Sequence, residues 1–99
     1  MKKRVTDDEL LKLIHHVKAG QAAIPPIKVG DLASYDDHRR VADATVDELV
    51  KNYGARHSQP LGTHRLAMAG VTASCTSGHS GLLTNWINAA YRELDRRRA

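Results

Sequence analysis

Apolar residues recur at helical spacing near both ends of the chain. Leu10, Leu13, Ile14 and Val17 follow Thr6-Asp7-Asp8-Glu9, a capping box with Thr6 at the N-cap. Acids in the first turn and Lys18 in the last suit the helix dipole, and Gly20 offers a stop. Leu83, Trp86, Ile87, Ala90, Tyr91 and Leu94 make one apolar face of a last helix over 82–97.

The middle of the chain is less regular. Pro25-Pro26 forbids a regular helix over 21–30 and marks a connector, in which Ile24, Ile27 and Val29 suggest a short extended piece crossing the core. Residues 34–53 read as one broken helix or two successive ones. Ser34 or Asp36 would cap the first, and Thr45-Val46-Asp47-Glu48 the second, with Gly54 at the stop. Residues 55–62 form a polar loop, and Thr63 caps a short apolar segment over 66–71. That segment reads as a helix ended by Gly70, with a strand over 65–73 as the competing reading. The expected architecture is all-α: one domain over 1–99 with four or five helices and a polar Ser/Thr/Gly loop before a long C-terminal helix. A basic segment over 1–5 and a basic tail over 95–99 flank it.

Composition adds two constraints. Only 4% of residues are aromatic and Phe is absent, so Leu, Ile, Val and Ala must build the core, and single-strand stacking platforms are disfavoured. One cysteine, Cys75, excludes an internal disulfide and fits a reducing, cytoplasmic setting. No apolar run reaches membrane-spanning length.

Charge changes the picture most. Residues 1–48 carry eight Lys/Arg against nine Asp/Glu, a balance of −1, whereas residues 49–99 carry seven against two, a balance of +5. No carboxylate lies between Glu48 and Glu93, and such a surface does not repel polyanions. The expected function is therefore a small non-enzymatic regulatory protein that binds nucleic acid or a nucleoprotein through its C-terminal half. Arg56, Arg65, Arg92, Arg96, Arg97 and Arg98 would meet phosphates. Thr76, Ser77, His79 and Ser80, at a helix N-terminus, would hydrogen-bond phosphate oxygens, and Asn85 and Asn88 would read bases. The alternative is a phage- or plasmid-type inhibitor or adaptor docking on a larger host complex. Its arginines would meet an acidic protein surface, and Trp86, Tyr91 or Tyr53 would anchor it.

Other chemistry has little support in the sequence. Residues 69–74 resemble the turn of helix-turn-helix repressors, and residues 84–88 their recognition helix, but residues 75–81 intervene and break the compact pair. Cys75 and His79 are four apart, and His57 and His64 seven apart. Structural zinc sites usually show two close ligand pairs, so no metal or other cofactor is expected. Cys75 with His79 or His64 lacks an orienting third group, so no catalytic residue is expected either.

Overall fold

The first helix begins where the capping box predicts. In the computed structural model, which describes residues 5–98, α1 spans Asp7–Ala22. The Glu9 amide donates to Thr6 Oγ1 at 3.1 Å, and the Thr6 hydroxyl donates to Glu9 Oε1 at 3.0 Å. Leu10, Ile14 and Val17 are fully buried. Gly20 does not stop the helix, which runs two residues further. Its missing side chain serves packing instead: a Cβ there would stand 2.9 Å from Thr45 Cγ2 of the next helix.

That next helix, α2, is continuous over Leu32–Tyr53, neither broken nor split. Asp31 is its N-cap, accepting from the Ala33 amide at 3.1 Å. Thr45 does not start a second helix because its hydroxyl turns back to the Val41 carbonyl at 2.8 Å, a bond that keeps it in the helix interior. Gly54 closes α2 in the left-handed conformation, φ 68°, as a C-terminal glycine should. The connector before α2 does not cross the core. Ile24 is half-buried, but Ile27 is exposed and Val29 is 95% exposed.

The all-α expectation is overturned by residues 56–75, and the protein is α+β. They form β1 (Arg56–Ser58), a 3-10 turn (Pro60–Gly62), β2 (His64–Met68) and β3 (Val71–Cys75), an antiparallel sheet in the order β1-β2-β3. The physical reason is the spacing of the apolar side chains. A helix would scatter Leu66, Met68, Val71 and Ala73 around its circumference, whereas strands put all four on one face, where they are buried. Helix propensity of Leu, Ala and Met is too small a preference to oppose that burial. Ala69 (φ 54°) and Gly70 (φ 78°) make the two-residue turn between β2 and β3, with positive φ at both positions as the right-handed twist of a hairpin requires. The helix-turn-helix resemblance ends here too, since residues 69–74 are a hairpin turn and a strand.

The last helix, α3, spans His79–Arg98 and lies across β3 and β2, with α1 and α2 packed against it. Trp86 is fully buried at that interface. Its indole N–H donates to the Val71 carbonyl at 3.2 Å and lies 3.4 Å from that of Met68, the two residues that flank the hairpin turn. Trp86 is therefore a core residue that secures the hairpin, and it is not available as a surface anchor. At the far end of α3, Arg97 ties the helix to the start of α1. It donates to the Val5 carbonyl at 2.8 Å, to Asp7 Oδ1 at 3.0 Å and to Glu93 Oε2 at 2.8 Å. The basic residues at 1–4 and Ala99 lie outside the described residues. Among the described residues no helix is long and apolar enough to cross a membrane.

Candidate metal centre

Side-chain alternation in the sheet decides where three histidines go. His57 pairs in register with Leu66, so its ring lies on the inner face. His64 precedes Leu66 by two residues in β2 and shares that face. His79 is the first residue of α3, which starts just after β3 and brings its ring to the same end of the sheet.

The three rings are in contact. His57 and His64 stack at 5.5 Å between centroids and 12° between planes, while His79 meets each edge-on at 4.7 Å. His57 Nε2 stands 3.2 Å from His64 Nδ1. One nitrogen from each ring lies within 4.8 Å of the others. Nitrogens bound tetrahedrally to zinc stand about 3.3 Å apart, which the His57–His64 pair already matches. Rotamer adjustments of His79 of about 1.5 Å or less would complete the set.

His79 has features expected of a ligand. Only 17% of its side chain is exposed, and neither buried ring nitrogen makes a well-aligned hydrogen bond. Asp43 Oδ1, from α2, nonetheless stands in close contact with Nδ1. A carboxylate against one imidazole nitrogen fixes the ring and leaves the other nitrogen, here Nε2, for a metal. Nε2, buried and without a hydrogen-bond partner, is then the nitrogen that a metal would satisfy. Burial, followed by the neighbouring His79 and His64, lowers the pKa of His57. The shift favours the neutral imidazole, the form that binds metal.

The triad borders an open cleft of about 530 Å³. Tyr35, His38, Arg39, Ala42 and Asp43 line its α2 wall, at spacings that place them on one side of that helix. His38 is held apart from the triad, its Nδ1 lying 2.9 Å from the Pro25 carbonyl. Cys75 is also outside the cluster. Its sulfur accepts from the Ser77 amide at 3.3 Å and lies 3.4 Å from the Ser77 hydroxyl. Those bonds, the Ser77 hydroxyl first, lower the thiol pKa.

The residues expected to bind nucleic acid are dispersed. Arg56 and Arg65 are exposed together on the outer face of the sheet, the side away from the histidines. Ser77, His79 and Ser80 border the cleft, and Thr76 is exposed in the preceding turn. Asn85 donates its amide to the Ser74 carbonyl at 2.8 Å and so pins α3 to β3. Asn88 and Arg92 are exposed on α3. Arg96 is bound bidentately by Glu93, Arg97 is only 10% exposed within its ion pairs, and Arg98 is exposed at the end of the helix.

The triad is hidden in the sequence as long as residues 55–62 are read as a loop and 66–71 as a helix. With strands there, the even spacing of His57 and His64 from the positions paired across the hairpin would have put both on one face. No protein-family model, curated protein or solved structure matches this chain.

Proposed function

We propose that the protein binds one divalent transition-metal ion of the zinc class through His57, His64 and His79, with Asp43 orienting His79. The observation that carries this reading is the convergence of three imidazole nitrogens, from three different elements, within 4.8 Å. Imidazole suits Zn, Cu, Ni and Co, and three protein ligands beside an open cleft leave one coordination position for solvent or substrate. Isothermal titration of metal-free protein with zinc tests it. One site per chain is expected, lost in His79→Ala and in the double variant His57→Ala/His64→Ala. Equal binding by wild type and both variants would overturn it.

A second reading, nucleic-acid or nucleoprotein binding, is favoured by the outer face of the sheet. Arg56, Ser58, Arg65, Thr72 and Ser74 are exposed there without a single acid among them. Such a face suits a phosphate backbone, and it lies opposite the histidines, so the two readings are compatible. Binding to duplex DNA or RNA that weakens steeply with salt, with a shallower slope in Arg56→Ala/Arg65→Ala, would support it. A protein partner that survives nuclease treatment would instead favour the inhibitor or adaptor reading.

A further inference from the structure

We infer that the metal's fourth position is an oxyanion site, taking a phosphate or carboxylate group from the cleft; this rests on the three-histidine reading above. Three features of the cleft converge on negative charge. The first turn of α3 forms part of its wall, at His79 and Ser80. The leading N–H groups of a helix have no intrahelical partner and sit at the positive end of the dipole. Arg39 stands on the α2 wall, where its guanidinium can donate two parallel bonds to an oxyanion. Gln59, Ser77 and Ser80 supply neutral hydrogen-bonding groups on the same lining.

The charge balance agrees. Three neutral imidazoles leave a bound divalent ion at +2, and Asp43 against His79 offsets one unit. Asp47 also acts on His57 from nearby, and Arg39 restores a positive charge on the wall. The sum stays positive, and a cleft of about 530 Å³ has room for more than a water molecule. The anion would bind the metal through one oxygen, displacing water, and present its remaining oxygens to Arg39 and the start of α3.

Cobalt(II) tests this, because its visible absorption reports the ligand set. The full-length, cobalt-loaded protein is titrated with inorganic phosphate and, separately, with sodium acetate. A saturable change in the cobalt bands, at one anion per metal, is expected with at least one of the two. The arm that saturates at lower concentration identifies the favoured oxyanion. Arg39→Ala should weaken that response about tenfold or more while leaving cobalt affinity unchanged. Cobalt bands that form normally but do not respond to either anion would overturn the oxyanion site and leave the metal reading standing. Loss of the bands with cobalt released into the filtrate would also overturn it, since the anion would then be stripping the ion. Absence of any cobalt band in wild type would remove both readings together.

Discussion

His57 Nε2 and His64 Nδ1 face each other at 3.2 Å across the β1–β2 hairpin, although seven positions separate them in sequence. Antiparallel pairing brings them together, and their shared inward direction makes them a pair of donors. The third nitrogen comes from α3, so a bound ion would join the hairpin to the helix. Bound metal should therefore raise the thermal midpoint, by an amount corresponding to about 2.7 kcal/mol when free zinc is 100 times its Kd. A zinc series followed by differential scanning calorimetry checks this. No shift in wild type, at concentrations that saturate binding, would show that the ion binds the unfolded chain as tightly as the folded one and that the fold builds no site for it.

Asp43 should act on the metal through His79. Asp43→Ala is expected to lower zinc affinity about 10- to 100-fold by releasing the ring from its orientation. Competition with a chromophoric chelator measures it. The carboxylate is 49% exposed, so the fold should tolerate the change, and far-UV circular dichroism should be unaltered. Unchanged affinity would mean that Asp43 is a bystander.

Trp86 carries a large share of the stability. Trp86→Ala removes a fully buried indole and strands the Val71 carbonyl at the end of the hairpin, at a cost of about 3–5 kcal/mol. Urea denaturation measures that loss. Trp86→Phe should cost less, because most of the ring volume stays and only the N–H bond is lost. Equal losses for the two variants would show that Trp86 stabilises the fold mainly through its hydrogen bond rather than through packing.

Ala69 holds φ 54°, a conformation that an L-residue with a Cβ adopts at a penalty. Asn relieves it at this position of a two-residue hairpin turn. The residue opens onto a hollow lined by Leu13, His16 and Tyr53, which leaves space for the longer side chain. Ala69→Asn should stabilise the protein by about 0.5–1 kcal/mol. A lower denaturation midpoint would show that placing the carboxamide against Leu13, His16 and Tyr53 costs more than the relief of backbone strain.

Glu93 sets a pH dependence. Hydrogen bonds from Arg97 and then Arg96 pull its carboxyl pKa down from 4.5 to about 2. A group whose folded pKa is depressed contributes its stability in full above the unfolded value and loses it as pH falls through the folded one. Wild type should therefore be more stable than Glu93→Gln at neutral pH, and the two melting midpoints should converge between pH 4.5 and about 2. A gap that persists to the acid end would mean that the carboxylate acts through shape rather than charge.

The helices were legible because their signals are local. Thr6 and Glu9 cap α1 as their spacing predicts, Gly54 ends α2 as expected, and the buried face of α3 is the one its periodicity marks. In α2 the local signal misled. Thr45 has the sequence of a cap, but its hydroxyl finds the Val41 carbonyl within the same helix. The segment over 66–71 misled for a related reason, since its composition favours helix while its apolar spacing serves a sheet that needs Ala73 and Trp86 from elsewhere in the chain.

The candidate site could not be read in the same way. Charge segregation is a property of the sequence, and the acid-free outer face with Arg56 and Arg65 follows from it once the strands are drawn. Whether an arginine is open to a ligand does not follow, because Arg97 is engaged by Val5 and Asp7, some 90 residues away. The histidine triad needs even more of the fold: strand register for His57 and His64, the start of α3 for His79, and the packing of α2 for Asp43. Sequence alone determines which imidazoles exist. Only long-range packing brings a nitrogen from each of three of them within 4.8 Å of the others, because such distances between separate elements are encoded by no local spacing.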